Sequence, residues 1–288
     1  MGKTVGNQYA GELSCFDLTA DGGYITGFDL GGFEQSSGRY YVIKYNATAE
    51  VEWEDRYGDP NTYNQIKTIS QTLDGGYILG GITNSTDGGS PVEYIKSNDS
   101  YLVKIDAAGK LQWEKTYGSV DVVNGLRSNE TVASVVQTSD GGYLVGEASA
   151  GKKGTDKSEN SRGGQDFWVF KLQADGNMLW DKTIGGSDED LLQSMVQTED
   201  SGFLLTGISK SPASGEKTES LQDAQNEYDF WIVRLSSETP AVASVITSFT
   251  ASKEGTGVAL NWNIAAESSI DRFEVEKSLD RENMEFHW

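Results

Sequence analysis

One stretch decides the fold of this chain: Gln137-Thr138-Ser139-Asp140-Gly141-Gly142-Tyr143-Leu144-Val145-Gly146. The chain contains it four times, with further copies over residues 18–27, 71–80 and 197–207. An Asp-Gly pair between two apolar runs predicts a tight turn, because these residues adopt a positive φ at little cost. Each copy therefore predicts a β-hairpin. The recurring aspartates are Asp21, Asp74, Asp140 and Asp200.

Each hairpin belongs to a longer repeat of four predicted strands, which we call A to D. In the third repeat they span residues 131–138, 142–149, 166–172 and 178–185. Strand C is apolar on both faces and closes on a lysine, and a tryptophan follows nine residues later in strand D. The strand D tryptophans are Trp53, Trp113 and Trp180, and strand C carries Trp168 and Trp231 in the last two repeats.

Units of four short strands with a turn motif and an aromatic residue are typical of a β-propeller. Such a unit cannot bury both faces alone, so neighbouring units stack as blades, with the repeated aromatic residues between them. We therefore predict an all-β protein with about four four-stranded blades over residues 1–240. The predicted units begin near residues 11, 65, 131 and 191.

The two ends of the propeller allow two explanations. The stretch Lys3-Thr4-Val5-Gly6 matches Lys182-Thr183-Ile184-Gly185 of a strand D, whereas the fourth unit has no tryptophan strand. The N-terminal stretch either completes the last blade of a small closed ring, or the chain is a fragment of a larger propeller. A start inside a repeat strand favours the fragment.

The repeat stops after Pro240, and a different pattern follows. Residues 245–251, 257–263 and 273–277 have the composition and alternation of strands. A fibronectin type III or immunoglobulin-like sandwich needs about 90–100 residues. We therefore predict an incomplete sandwich of this kind over residues 241–288.

Composition and charge exclude several classes of partner. The formal net charge of −21 repels nucleic acid and anionic membrane surfaces. No apolar run approaches the roughly 18 residues of a membrane-spanning helix, so membrane insertion is not expected. The N-terminus has no apolar core of a signal peptide. Cys15 is the single cysteine, so an internal disulfide is impossible.

The repeat resembles a known group of proteins. The pattern Thr-x-Asp-Gly-Gly-Tyr, strand C with its closing lysine, and Trp-x-x-Thr-x-Gly are similar to the propeller repeats of large secreted proteins of Bacteroidota-type bacteria. Residues 248–280, with Leu260-Asn261-Trp262, resemble the sandwich that often follows those repeats. The resemblance implies a secreted or cell-surface protein, a cargo of type IX secretion whose sorting domain is absent from this chain. It implies little about chemistry.

The two ends of each blade differ. The A–B and C–D turns are short and alike, and they form what we call the turn end. The B–C and D–A connections are long and varied, and they form the loop end. Because binding sites usually lie on such loops, we predict protein or glycan contacts there, although tolerated surface insertions are an equal alternative. The candidate contact residues are Phe33, Tyr63, Tyr94, Asp121 and Arg127.

Catalysis has weak support in the sequence. The only histidine is His287, so the repeats contain neither a Ser-His-Asp triad nor a histidine zinc site. A glycosidase carboxylate pair is conceivable, but 44 acidic residues make every candidate uninformative. We therefore predict a non-catalytic extracytoplasmic binding or structural module. The alternative is a secreted, carbohydrate-active hydrolase or an accessory domain of one.

Calcium is the one cofactor that the sequence suggests. Asp188, Glu189 and Asp190 stand together in a D–A loop and could supply carboxylate oxygens. They lack the spacing of a dedicated calcium loop, and a solvated acidic turn is the alternative. We expect no other cofactor.

Overall fold

The computed structural model describes residues 12–29, 38–84, 98–119, 130–221, 228–236, 246–254 and 257–264. The described residues form seventeen β-strands and no helix, so this part of the chain is all-β as predicted. Accordingly, the described residues include no helix that could span a membrane. The chain divides into two compact units, Met1–Ser237 and Glu238–Trp288.

The first compact unit is a row of antiparallel sheets in which the strands follow their order in the chain. The first sheet contains β1 (Glu12–Leu18), β2 (Tyr24–Asp29), β3 (Tyr40–Tyr45) and β4 (Val51–Tyr57). The second contains β5 (Asn64–Gln71), β6 (Tyr77–Thr83), β7 (Asp99–Ile105) and β8 (Leu111–Tyr117). The third contains β9 (Thr131–Gln137), β10 (Tyr143–Ser149), β11 (Asp166–Leu172) and β12 (Met178–Ile184).

The fourth sheet has three strands among the described residues: β13 (Asp190–Gln197), β14 (Phe203–Ser209) and β15 (Asp229–Leu235). The predicted four-stranded unit is thus confirmed for the first three repeats, and the arrangement is propeller-like. Residues 3–6, the candidates for a closing strand, lie outside the described residues.

The repeated Asp stretch forms the A–B turn of all four sheets in the first compact unit. In the third sheet Thr138 Oγ1 and the Gly142 amide donate to Asp140 Oδ1 at 2.5 and 2.9 Å. Gly141 adopts a φ of 83°. In the fourth sheet Ser201 takes this position with a φ of 63°. The aspartate therefore stabilises a backbone shape that suits glycine.

The closing lysine of strand C ties each hairpin to its own sheet. Lys171 Nζ lies 3.0 Å from Asp140 and donates to the Leu172 carbonyl oxygen at 3.1 Å. These bonds satisfy an ammonium group that is almost fully buried. The same pair recurs as Lys44–Asp21, Lys104–Asp74 and Arg234–Asp200.

Consecutive sheets pack face to face through their apolar side chains. The A strands lie next to one another in the order β1, β5, β9, β13. A glycine on strand B receives the next A strand: a Cβ at Gly27 would lie 2.7 Å from Ile66, and one at Gly80 would lie 2.9 Å from Val135. Gly146 receives Met195 in the same way. These glycines let neighbouring sheets approach closely.

The tryptophans of strand D bridge to the next sheet. Trp53 Nε1 donates to the Ala107 carbonyl at 3.2 Å, and Trp113 Nε1 donates to the Ala174 carbonyl at 3.0 Å. The ring of Trp113 also meets Tyr143 edge-on at 5.9 Å. Both acceptors lie in the C–D turn of the following sheet, so these tryptophans are part of the packing between sheets.

The second compact unit contributes one described sheet. It consists of β16 (Ile246–Glu254) and β17 (Gly257–Ile264), which pair antiparallel. The predicted strand over residues 273–277 lies outside the described residues.

Candidate functional site

The B–C loops of the third and fourth sheets share one construction. An isolated bridge joins Gly154 to Lys157 in the third sheet and Ser214 to Lys217 in the fourth. Each loop buries its lysine, and at an offset of 60 residues Asp156-Lys157-Ser158-Glu159 matches Glu216-Lys217-Thr218-Glu219. The long connections of the loop end are therefore not all unrelated insertions.

These two loops also form hydrogen bonds with the preceding sheet. The Gly118 amide donates to Asp156 Oδ2 at 3.0 Å, and the Asp156 amide donates back to the Gly118 carbonyl at 3.1 Å. Glu216 makes the same two bonds with Gly185, both at 3.1 Å. Each glycine directly follows a strand D, so the acid of each loop links its own sheet to the preceding one.

The contact between the second and third sheets is unusually polar. Elsewhere a strand C ring meets a ring of the next sheet: Tyr40 lies 5.2 Å from Tyr101, and Phe167 lies 5.0 Å from Trp231. Ser100 occupies the corresponding position of the second sheet, because it pairs with the last residue of strand D as Tyr40 and Phe167 do. An aromatic contact is thus replaced by a hydroxyl group.

Glu147 fills the space next to Ser100. Its side chain is fully buried on β10 and accepts a hydrogen bond from Ser100 Oγ through Oε2, while Oε1 has no hydrogen-bond partner. Burial raises the pKa of Glu147 well above its usual value, and the nearby charge of Glu130 raises it further. A protonated carboxyl group is therefore favoured at this position.

Lys157 is the basic residue of this cluster. Its Nζ is buried without a hydrogen-bond partner and lies 5.2 Å from the centre of the Trp168 ring. Burial lowers its pKa, and the carboxylates of Glu147 and Asp166 oppose that effect. We refer to Ser100, Glu130, Glu147 and Lys157 as the loop-end cluster. It combines buried carboxyl groups with a buried lysine whose pKa is lowered.

Asp166 lies at the start of β11, close to this cluster. It is buried, and its Oδ2 accepts a hydrogen bond from the Arg162 amide at 2.5 Å. Burial raises its pKa to about 6, with a further contribution from the charge of Asp190. Asp190 accepts hydrogen bonds from the Gly186 amide at 2.7 Å and from Ser211 Oγ at 2.9 Å.

The pKa values of acids at the turn end are shifted in the opposite direction, downward. Hydrogen bonds from Lys44 and Thr19 lower the pKa of Asp21. Burial alone would raise the pKa of Asp140, but hydrogen bonds from Thr138, the Gly142 amide and Lys171 outweigh it and lower the pKa. Carboxyl groups with a raised pKa therefore lie at the loop end of the third sheet. Such shifted groups are typical of functional sites.

The predicted contact residues do not form a described cluster. Tyr63 is half-buried in the D–A loop before β5, and its amide donates to Asn84 Oδ1 at 2.7 Å. Burial raises the pKa of its phenol. The other predicted contacts, Phe33, Tyr94, Asp121 and Arg127, lie outside the described residues.

The predicted calcium residues have separate surroundings. Asp190 is buried in the bonds given above, and Glu189 lies 3.1 Å from Lys210 Nζ and accepts a hydrogen bond from the Tyr228 hydroxyl at 2.6 Å. Asp188 Oδ1 accepts the Glu189 amide at 2.8 Å. Among the described residues no group of three acidic, histidine or cysteine side chains could hold a metal ion. Calcium binding stays a prediction.

The residues of the loop-end cluster were not predicted from the sequence. Glu147 stands where the other sheets have Phe28, Gly81 and Gly207, so a charge in an otherwise uncharged position was the available signal. Lys157 and Lys217 are separated by 60 residues, as are Asp140 and Asp200.

Comparisons with known proteins give structural matches alone. No family model matches the chain, and no curated protein matches it. A cobalt-substituted apocarotenoid oxygenase from Synechocystis is 10% identical, with a TM-score of 0.40 over 76% of this chain and 49% of that one. A glycosyl hydrolase from Bacteroides ovatus is 10% identical, with a TM-score of 0.35 over 75% of this chain and 63% of that one. The chain thus spans about half the length of the oxygenase.

A third match comes from a study of the GH130 mannoside phosphorylases, a family that contains glycoside hydrolases. It is 9% identical, with a TM-score of 0.32 over 75% of this chain and 63% of that one. The matched structures are of enzymes, so the prediction that this chain is not an enzyme is contradicted and is withdrawn. At these identities and TM-scores the likeness assigns no reaction, substrate or metal to this chain.

Proposed function

We propose that this protein is carbohydrate-active and that the loop end of its third and fourth sheets faces the glycan. The observation that supports this most is the pair of buried carboxyl groups with raised pKa, Glu147 and Asp166. Cleavage of a glycosidic bond uses one carboxyl group that is still protonated near neutral pH and a second carboxylate that is ionised. The loop end of the third sheet concentrates carboxyl groups of the first kind.

Asp166 and Asp190 would divide the chemistry as follows. Asp166, with a pKa of about 6, donates its proton to the oxygen of the leaving sugar. Asp190, whose charge acts on Asp166, accepts a proton from the water that attacks the anomeric carbon as the glycosidic bond breaks. Asp166 is buried against Arg162 of the loop of residues 150–165, and Asp190 is buried against Ser211 of the loop that begins at residue 210, so the proposal requires these loops to open for the glycan.

The proposal extends to location and domain organisation. Following the resemblance to secreted Bacteroidota-type repeats, we place the protein outside the cytoplasm, on or near the cell surface, where glycan and protein partners are available. The β16–β17 pair then represents the first strands of a fibronectin type III-like sandwich. Localisation of the tagged full-length gene product tests this part.

The function is tested with a glycan array and a panel of polysaccharides and aryl glycosides. We expect the full chain to bind one glycan class and to release reducing sugar from it. Asp166→Asn and Asp190→Asn should each abolish release, whereas Asp140→Asn at the turn end should retain it. Absence of both binding and release would overturn the proposal. Release that survives Asp166→Asn would overturn the role given to Asp166.

A further inference from the structure

The fourth sheet exposes apolar side chains at positions that are buried elsewhere. On β15 the side chains of Phe230 and Ile232 are 89% and 64% exposed. Their counterparts in the third sheet, Phe167 and Val169, are fully buried in the core shared with the fourth sheet. Trp231 packs into that same core, so strand alternation points Phe230 and Ile232 to the opposite side. We call this side the trailing face.

The first sheet has a matching exposed surface. Leu13 and Phe16 on β1 are 55% and 65% exposed. Both flank the bulge of strand A, and we call their side of the first sheet the leading face. The residues that flank the same bulge in the later sheets are buried against the preceding sheet: Ile66 and Ile69, Val132 and Val135, and Leu192 and Met195.

The chain therefore carries both halves of an interface that it already builds three times. Within the described residues these two halves do not cover each other, because Phe16 and Phe230 are both mostly exposed. Exposed apolar patches of this kind mark association sites. We propose that the trailing face of one copy of this chain docks on the leading face of a second copy.

Reciprocal docking of both faces gives a closed pair with two-fold symmetry. The pair contains eight sheets arranged as a closed ring. This number is within the range of about 4–8 blades in closed propellers. The second copy is the occupant that the surfaces favour, because the partner of a trailing face inside this chain is always a leading face. Association of two copies supplies that partner without any additional protein.

One residue makes this interface weaker than the three internal ones. The glycines that receive the next A strand are Gly27, Gly80 and Gly146, and the fourth sheet has Thr206 at the corresponding position. The threonine side chain occupies the space into which an apolar side chain of the next sheet would fit. Docking is therefore shallower, and Thr206→Gly should strengthen it by about tenfold in the dissociation constant, or about 1.4 kcal/mol.

The oligomeric state of the full chain tests the proposal. Sedimentation equilibrium should give twice the monomer mass of 31.3 kDa at high concentration. Phe230→Glu and Phe16→Glu should each give monomers, because each removes one half of every contact. Leu73→Glu is the matched control, since Leu73 is 80% exposed on a turn and belongs to neither face. Melting curves establish that each variant is folded.

Mixing the two variants distinguishes the proposed contact from others. The Phe16→Glu chain keeps its trailing face and the Phe230→Glu chain keeps its leading face, so an equimolar mixture should form a heterodimer. A wild-type chain that stays monomeric would overturn the proposal. A Phe16→Glu chain that still dimerises would also overturn it, because the contact would then join two trailing faces. Weaker association of Thr206→Gly would contradict the docking geometry.

Discussion

Every A–B turn imposes a left-handed backbone on one residue. Gly22, Gly75 and Gly141 adopt it with φ values of 82°, 79° and 83°, whereas Ser201 adopts it with a side chain. A left-handed conformation costs a residue with a Cβ about 1–2 kcal/mol more than it costs glycine. Part of this advantage of glycine is cancelled, because glycine loses more conformational entropy on folding. The fourth turn therefore retains strain that the other three avoid.

Ser201→Gly should relieve this strain. We expect the free energy of unfolding of the first compact unit to rise by about 0.5–1 kcal/mol, as measured by urea denaturation. Ser139→Gly is the control, because Ser139 lies in the same turn of the third sheet and has no positive φ. A gain from both substitutions, or from neither, would contradict the argument.

Single residues also show what the sequence could predict. The Asp-Gly pair indicated the turn directly, because its backbone requirement is local to two residues. The buried state of Glu147 was not predictable, because it depends on Ser100, which lies 47 residues away in another sheet. A carboxyl group among 44 acidic residues becomes informative only when its neighbours are known.

At the level of strands, the spacing between sheets depends on a glycine of strand B. A Cβ at Gly146 would lie 2.5 Å from Met195 Sδ and would also collide with Leu192. Gly146→Val should therefore force the third and fourth sheets apart and lower the free energy of unfolding by about 1–3 kcal/mol. Thr206→Val is the matched control, since the fourth sheet already has a branched side chain at this position. Equal losses from both variants in thermal melting would refute this account.

The loops illustrate the limit of sequence reasoning at this scale. Residues 150–165 and 210–228 differ in length, and they match only over Asp156-Lys157-Ser158-Glu159 and Glu216-Lys217-Thr218-Glu219. The structure gives the described parts a common path, because in each loop the acid before the lysine bonds to the glycine after strand D through both its carboxylate and its amide. The match is short and its exchanges are conservative, so its role became evident only from these bonds.

For the whole molecule, the repeat predicted the sheets and their order, since each unit needs neighbours on both faces. The repeat did not predict whether the row of sheets closes. Both ends need an apolar partner surface, and the sequence pattern is the same whether that partner lies in the same chain or in another. Within the described residues, the exposure of Phe16 and Phe230 is the observation that bears on this question.

The pKa values of Asp74 and Asp140 at the turn end are lowered, and that of Asp166 at the loop end is raised. These opposite shifts give the free energy of unfolding a defined dependence on pH. Acids at the turn end, such as Asp74 and Asp140, have a lowered pKa when folded. Their contribution is present above the unfolded value of about 3.9 and is lost as the pH falls through the folded pKa. Asp166, with a pKa of about 6, binds its proton more tightly in the folded state. By linkage its deprotonation reduces stability as the pH rises from about 4 to 6.

We therefore expect maximal stability in mild acid, with a decline on both sides, measured as the free energy of unfolding in urea across pH 3–8. Asp166→Asn should flatten the decline between pH 4 and 6, because an amide cannot lose the proton. Asp140→Asn should leave that decline in place and reduce the loss below pH 4, because it removes an acid whose pKa is lowered. An Asp166→Asn profile parallel to wild type would mean that Asp166 titrates normally. In that case the carboxyl group on which the proposed glycan chemistry depends would lack the raised pKa that the proposal requires.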